Sequence, residues 1–156
     1  YSMIVAVDTI AQRRSLAVEL GATATLAPTP GATSAHLHDT TGGGPSTAID
    51  TTARPDVIAT ALTALRSRGT LALVGLGALS SELPVGLIMA KGLEVRGVVE
   101  GNSVPHSFIP RLATLWRSGE LPLEKLVTRF DFEAFGEAWT AAKTGQVVKP
   151  VMVIGR

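Results

Sequence analysis

The stretch that decides the fold is Met3-Ile4-Val5-Ala6-Val7-Asp8, a continuous apolar run that ends in a carboxylate. An apolar run of this length is typical of a strand that is buried on both faces of a parallel sheet. Asp8 can cap a helix that follows it, and Gly21 stands where such a helix would end. Residues 24–27 then predict a second strand, which Pro28 stops.

The same alternation of strand and helix continues along the chain. Further strands are predicted at residues 47–50, 70–74, 93–99, 126–130 and 151–154, and helices at residues 34–40, 58–65, 84–90, 109–116 and 135–142. This order predicts an α/β protein with a doubly wound parallel sheet. Because 46% of the residues are hydrophobic and only 4% are aromatic, we expect a core of Ala, Val, Leu and Ile. Trp116 and Trp139 lie at helical apolar spacing and are expected to pack into that core.

The composition excludes several classes of function. The formal net charge is +1, and no basic block interleaved with aromatic residues is present, so nucleic acid is not an expected partner. The absence of cysteine excludes disulfides and thiolate zinc sites, and His36, His38 and His106 make a poor set of zinc ligands. No apolar run approaches the roughly 20 residues of a membrane span, so a cytoplasmic location is expected.

Asp8 is the leading candidate for a ligand-binding residue. Ligands bind at the carboxyl ends of the strands in such sheets. An acid at the end of the second strand of a dinucleotide fold accepts hydrogen bonds from ribose hydroxyls and repels a 2′-phosphate. Asp8 has this position if the first strand and the glycine-rich turn of the fold precede Tyr1. From strand position alone, this role and a helix N-cap are equally credible. A glycine-rich phosphate loop is not found, because Ser80 stands at the third glycine position after Gly75-Leu76-Gly77.

Four segments in order resemble the medium-chain, zinc-dependent alcohol dehydrogenases. They are Ile4-Val5-Ala6-Val7-Asp8 with Glu19-Leu20-Gly21-Ala22-Thr23, Ile49-Asp50-Thr51-Thr52, Gly69-Thr70-Leu71-Ala72-Leu73-Val74-Gly75, and Gly145-Gln146-Val147-Val148-Lys149-Pro150-Val151. Val95-Arg96-Gly97-Val98-Val99-Glu100-Gly101-Asn102, followed by Phe108-Ile109-Pro110, is similar to the aryl- and benzyl-alcohol dehydrogenase branch. The resemblance implies a Rossmann-type domain that lacks its first strand and glycine-rich turn. Residues 1–156 would then be a partial dinucleotide-binding domain without the catalytic zinc domain.

The resemblance also implies cofactor-binding roles for individual residues. Asp8 matches the acid that binds the adenosine ribose, and Arg13 matches its basic partner. Thr52 and Arg54 match positions that flank the cofactor after the fourth strand of the complete family fold, which is the third strand predicted in this chain. Main-chain groups of four residues would address the nicotinamide, namely Val74, Leu76, Val98 and Glu100. Lys149 matches a basic residue that reaches the pyrophosphate, although lysine lacks the bidentate fork of arginine.

For the parent protein, the resemblance implies NAD-dependent oxidation of a primary, aromatic alcohol to its aldehyde. Zinc bound outside this chain would polarise the alkoxide while NAD takes the hydride. Tyr1-Ser2 opens the chain without an initiator methionine, so a fragment is expected. The resemblance implies that this piece alone is inactive, because the zinc ligands and the proton relay would lie outside it. The implied partners are a small-molecule alcohol or aldehyde and further copies of the chain in a homo-oligomer.

Two alternatives stay open, and one structural anomaly is expected. The alternatives are a non-catalytic nucleotide-binding or oligomerising module, and a methyltransferase, which predicts an antiparallel final strand pair. In the strand order 3-2-1-4-5-6 the missing first strand is central. Its absence predicts strand edges without a partner, and such edges are prone to pair with other chains.

Overall fold

The fold was obtained as a computed structural model, which describes residues 3–77 and 80–155. In chain order the helices and strands are β1 (Val5–Val7), α1 (Ala11–Glu19), β2 (Ala24–Leu26), α2 (Thr33–Thr40), β3 (Thr47–Asp50), α3 (Pro55–Ala64), β4 (Thr70–Leu73), α4 (Val85–Lys91), β5 (Glu94–Gly97), α5 (Pro105–Arg117), β6 (Val127–Asp131), α6 (Phe135–Lys143) and β7 (Lys149–Val153). Each strand and helix that the sequence predicts is present, with bounds that differ by a few residues.

The chain divides into two compact units. The first unit combines the residues up to Thr25 with those from Val104 onward, and the second unit is Leu26–Ser103. In the second unit β3, β4 and β5 form a parallel sheet in that order, with Thr47 opposite Thr70 and Thr70 opposite Glu94. Parallel neighbours joined by helices confirm the predicted α/β class.

The first unit contains two pairs of strands. β1 pairs with β2, and β6 pairs with β7 in parallel, with Val127 opposite Lys149. The parallel final pair contradicts the methyltransferase alternative, which predicts an antiparallel one. Within residues 3–77 and 80–155, β2 is the only strand bonded to β1, and β4 is the only one bonded to β3. Since every open sheet has such outer strands, the anomaly expected from a missing central strand stays a prediction.

The core of the second unit lies between its sheet and α3. It consists of buried aliphatic side chains: Ile58, Leu62, Leu65, Leu71 and Leu93. Pro55 begins α3 at a position where its fixed φ is suitable and its missing N–H is not needed. Ile58 and Leu62 lie on one helical face and Leu65 follows as the C-cap, and all three pack in one cluster with Leu71 of β4. Burying one such leucine fully contributes about 1.5–3 kcal/mol.

Two contacts fix the carboxyl end of α3. The Lys91 ammonium donates to the carbonyl oxygens of Thr63 at 2.8 Å and Leu65 at 2.7 Å. It thus satisfies carbonyl groups that the end of a helix leaves without partners.

Gly44 is buried at a φ of +100°, and a Cβ there would overlap the carbonyl oxygen of Ala64. Only glycine fits both the conformation and the space.

The prediction that both tryptophans pack into the core is wrong. Trp116 is 46% exposed and Trp139 is 60% exposed. The indole N–H of Trp116 donates to Glu124, and the Trp139 ring stacks on Phe135 with centroids 6.2 Å apart.

The expectation that strands are buried on both faces also fails, because β1 and β5 are partly exposed along their length. A strand face is buried only where another element packs on it, and the burial of β1 and β5 shows that their faces are covered incompletely.

Candidate functional site

Asp8 lies at the carboxyl end of β1, two residues before the helix cap. The N-cap of α1 is Ile10, so the alternative that Asp8 itself caps the helix is wrong. One carboxylate oxygen, Oδ1, accepts the N–H of Ile10 at 2.7 Å. The Asp8 carbonyl accepts from Nη1 of Arg14 at 2.7 Å. These contacts fix the backbone and one oxygen of Asp8, and about a third of its side chain remains exposed.

Arg13 is the neighbour of the second carboxylate oxygen. Its Nη1 lies 4.0 Å from Oδ2 of Asp8. Its Nε is buried and has no hydrogen-bond partner within the described residues. Gly145 faces the same region, because a Cβ there would overlap the end of the Ile10 side chain. Arg13, Lys125 and Gly145 line a cleft of about 180 Å³ in this unit. A buried unpaired donor costs about 1–3 kcal/mol, which an external acceptor would remove.

Asp50 organises the carboxyl end of β3 in the second unit. Its side chain is buried. Oδ1 accepts the N–H of Thr52 at 3.1 Å and the Thr52 hydroxyl at 2.7 Å, and Oδ2 accepts the N–H of Ala53 at 2.9 Å. The Thr52 hydroxyl in turn accepts the N–H of Arg54 at 3.1 Å. One carboxylate therefore holds the turn that contains the predicted site residues Thr52 and Arg54.

The chain that leaves β4 runs against this turn at very short distance. The N–H groups of Val74 and Gly75 both donate to the Asp50 carbonyl, at 2.9 and 3.1 Å. A Cβ on Gly75 would lie 2.6 Å from the nitrogen of Ala53. The two predicted positions on this segment differ in exposure, since Val74 is 41% exposed and Leu76 fully exposed. The exits of β3 and β4 thus form one interlocked surface.

Arg54 is engaged in an ion pair on that surface. Its Nε and Nη2 donate to the two carboxylate oxygens of Asp56 at 3.1 and 2.9 Å. These hydrogen bonds raise the pKa of Arg54 and lower the pKa of Asp56. Both side chains are about two thirds exposed, so the guanidinium stays accessible to a ligand.

The exit of β5 is a turn of unusual conformation. Glu100, Gly101 and Asn102 all have positive φ, at 48°, 69° and 51°. The Asn102 side-chain oxygen accepts the N–H of Val99 at 3.3 Å, and the Ser103 hydroxyl donates to the Glu100 carbonyl at 2.8 Å. Non-glycine residues with positive φ cost about 1–3 kcal/mol and occur often at functional sites.

The two remaining predicted residues lie on strands or beside them. The N–H of Val98 donates to the Leu73 carbonyl at 2.9 Å, which places Val98 beside the end of β4. Lys149 is the first residue of β7, and it is exposed. The structure thus brings Thr52, Arg54 and Val74 to one surface of the second unit, whereas Asp8, Arg13 and Lys149 belong to the first unit.

The described residues offer no ligand set for a catalytic zinc ion. The chain contains no cysteine. Over residues 3–77 and 80–155, no three His, Asp or Glu residues come together as a metal site. The helices described are also too short or too polar to cross a bilayer.

The comparisons with known proteins agree with this architecture. The family model described as zinc-binding dehydrogenase matches residues 2–117. The chain is 37% identical over 153 residues to a geraniol dehydrogenase of Castellaniella defragrans, covering 96% of this chain and 41% of that protein. It is 29% identical over 156 residues to an NDMA-dependent alcohol dehydrogenase of Amycolatopsis methanolica, with 96% and 42% covered.

A solved structure gives the same result. The chain matches a benzyl alcohol dehydrogenase of Acinetobacter calcoaceticus with a TM-score of 0.93 and 31% identity, covering 99% of this chain and 43% of that one. Doubly wound α/β domains with an acid at a strand end are the class that the fold defines. The chain belongs to the zinc-binding dehydrogenase family, which confirms the resemblance to zinc-dependent alcohol dehydrogenases. It spans about two fifths of the length of these relatives.

Sequence reasoning missed Asp50 as a residue of this site. In sequence it reads as the end of a short strand, where a carboxylate is normally solvated. Its burial depends on Gly75, which comes from the next strand and lets the backbone approach. A signal was nevertheless present, because Asp50 is followed by Thr51-Thr52 and acids commonly bond the backbone N–H two residues later.

Proposed function

We propose that this chain is part of the NAD-binding domain of a zinc-dependent alcohol dehydrogenase that oxidises a primary, aromatic alcohol to its aldehyde. The observation that carries the proposal is the hydrogen bonding of the two carboxylate oxygens of Asp8. Its Oδ1 is used locally, while its Oδ2 has only the longer contact with Arg13 among the described residues. A ribose with two adjacent hydroxyls is a suitable partner for such an oxygen at a strand end.

The charge of Asp8 favours NAD over NADP. A carboxylate close to the ribose repels the 2′-phosphate that distinguishes NADP. Arg13 offers a cation nearby, but Asp8 Oδ2 lies 4.0 Å from its Nη1 and compensates that charge. The unpaired Nε–H of Arg13 supports a ligand here, because a bound nucleotide supplies acceptor atoms.

The remaining predicted positions are proposed to contact the rest of the cofactor. Thr52 and Arg54 would flank it from the turn after β3, and Lys149 would supply positive charge for the pyrophosphate. Main-chain groups at four positions would address the nicotinamide, namely Val74, Leu76, Val98 and Glu100. The close packing of Gly75 on the turn supports this assignment, because it makes the surface rigid before any ligand arrives.

Bound NAD would accept a hydride from the alcohol carbon. The residues of this chain would bind and orient the cofactor, and no proton transfer is assigned to them. We place the zinc outside these residues, since the described part of the chain lacks ligands for it. The choice of a primary alcohol rests on relatives named for geraniol and benzyl alcohol, and the aromatic preference rests on the benzyl alcohol dehydrogenase alone. A homo-oligomer in the cytoplasm is the setting that we propose.

Asp8→Asn in the full-length protein tests the proposal. Asparagine retains an oxygen for the N–H of Ile10, so α1 keeps its local contact while the charge is lost. Hydrogen bonds to charged groups contribute about 1.5–3 kcal/mol, so the dissociation constant for NADH should rise about tenfold to a hundredfold. The preference for NADH over NADPH should fall in the same variant. Cofactor fluorescence measures both.

Asp131→Asn is the matched control, because Asp131 is an exposed carboxylate at the end of β6 in the same unit. It should bind NADH as the wild type does. Equal NADH affinity in the Asp8→Asn variant and the wild type would contradict the ribose role. Alcohol oxidation by a preparation that contains neither free nor protein-bound NAD would contradict the cofactor assignment.

The alternative is a nucleotide-binding module without catalysis, to which the same contacts of Asp8 and Arg13 are suited. NADH binding by a full-length protein that lacks metal and oxidises no alcohol would support this candidate. Binding together with zinc-dependent alcohol oxidation would exclude it.

A further inference from the structure

We propose that Asp50 is a positioning residue for the cofactor: its buried carboxylate holds the turn after β3 in the conformation that receives NAD. This inference rests on the proposed function and adds a residue that the family resemblance does not assign. Asp50 is 4% exposed, and its carboxylate meets the turn through both oxygens. It is the one buried carboxylate in the part of the chain that the structure describes.

The turn needs an external restraint because its conformation is unfavourable. Ala53 has a φ of +53°, a region that residues with a Cβ rarely adopt. The cost of such a residue is about 1–3 kcal/mol. The Ala53 N–H bonded to Oδ2 and the Thr52 N–H bonded to Oδ1 are the contacts that compensate it. Without the carboxylate the turn keeps, among the described residues, only the bond from the Arg54 N–H to the Thr52 hydroxyl and the packing of Gly75 and Gly77.

Asp50 also connects this turn to the neighbouring strand. Its carbonyl accepts the N–H groups of Val74 and Gly75, while its carboxylate bonds Thr52 and Ala53. One residue therefore sets the spacing between two segments that are proposed to contact NAD. Gly75 and Gly77 both approach Ala53 so closely that a Cβ on either would overlap it, so a shift of the turn would displace the exit of β4.

The effect of Asp50 on cofactor affinity depends on the fraction of molecules in which the turn after β3 is ordered. A cofactor that binds only the ordered turn has an apparent dissociation constant equal to the intrinsic one divided by the ordered fraction. If loss of one carboxylate contact lowers the ordered fraction to about a tenth, NADH binds about tenfold more weakly. Asp50 achieves this without touching the cofactor.

Asp50→Asn in the full-length protein is the variant that isolates this role. Asparagine has nearly the same shape but only one acceptor oxygen. When that oxygen faces Thr52, the NH₂ group faces the N–H of Ala53, and two donors oppose each other. When the amide is reversed, the NH₂ group opposes the N–H of Thr52. Asp39→Asn is the matched control, because Asp39 is an exposed carboxylate on α2 of the same unit.

We expect three results. The dissociation constant for NADH rises about tenfold in Asp50→Asn and is unchanged in Asp39→Asn. Hydrogen–deuterium exchange without cofactor becomes faster at the amides of Thr52 and Ala53, while the amides of the core residue Leu62 stay protected. Adding Ala53→Gly to Asp50→Asn recovers most of the affinity, because glycine adopts positive φ without strain.

The outcomes separate the two proposals. Wild-type protein that binds no NADH overturns the proposed function and, with it, the role of Asp50. Wild-type protein that binds NADH, beside an Asp50→Asn variant of equal affinity, overturns the role of Asp50 alone. An Asp50→Asn variant that loses protection at Leu62 to the same degree as at Ala53 also overturns it, since the residue would then support the whole unit.

Discussion

Lys91→Met should destabilise the second unit through the end of α3. The substitution keeps an unbranched side chain of similar length and removes the ammonium that donates to the carbonyls of Thr63 and Leu65 at 2.8 and 2.7 Å. A hydrogen bond to a charged group contributes about 1.5–3 kcal/mol, so the two together contribute about 3–6 kcal/mol when shielded from water. Lys91 is half-buried. In the variant, water can hydrogen-bond to the freed carbonyls and offset about half of this contribution. The free energy of unfolding should therefore fall by about 1.5–3 kcal/mol.

Urea unfolding followed by circular dichroism measures this loss. The midpoint should fall while the dependence on urea stays the same, since the surface exposed on unfolding does not change. Lys143→Met is the matched control, because Lys143 also lies in the last turn of a helix, α6, and is exposed. That variant should lie within about 0.5 kcal/mol of the wild type. Equal losses in the two variants would refute the assignment of the Lys91 contacts as stabilising.

Two further predictions concern a glycine and a carboxylate. Gly44→Ala should lower the free energy of unfolding by about 3 kcal/mol or more, because its Cβ would overlap backbone at positive φ, whereas Gly42→Ala, with open space around it, should lose about 1 kcal/mol. Urea denaturation compares the two, and equal losses would contradict the steric argument. Backbone contacts and the Trp116 indole hold the pKa of Glu124 below its ordinary value of 4.5, so this carboxylate stabilises the fold at neutral pH and loses its contribution as pH falls through the lowered value. In a Trp139→Phe background, Trp116 fluorescence should therefore change with a midpoint below 4.5, and Glu124→Gln should abolish the change.

The order of helices and strands could be predicted from sequence because local signals mark it. β3 has the predicted bounds, since a short apolar strand lies between Pro45 and the turn that leads to Pro55. α3 begins at Pro55 as its fixed φ requires. The apolar periodicity of α5 and α6 also predicted helices correctly. It did not predict burial, because periodicity shows which residues share a face and not what covers that face, as Trp116 and Trp139 demonstrate.

The candidate site was only partly predictable for the same reason. Asp8 could be proposed from sequence because the ribose role depends on a position at a strand end, and the structure places Asp8 directly after β1. The role proposed for Asp50 depends on the missing side chain of Gly75, which lies on the segment that leaves β4, and on the positive φ of Ala53. Thr51-Thr52 signals only the local bond to the backbone. The close approach of Gly75 has no signature near Asp50, because it joins segments that lie far apart in sequence.

The division into two units has a consequence for how the chain acquires its structure. The second unit is continuous, and its sheet joins strands that follow one another along the chain. The first unit must bring the residues up to Thr25 together with those from Val104 onward, across all of residues 26–103. Closing a long intervening segment costs more entropy than closing a short one. During synthesis the second unit also emerges whole before Val104 does, so it forms first, and the residues up to Thr25 gain their contacts with those from Val104 onward last.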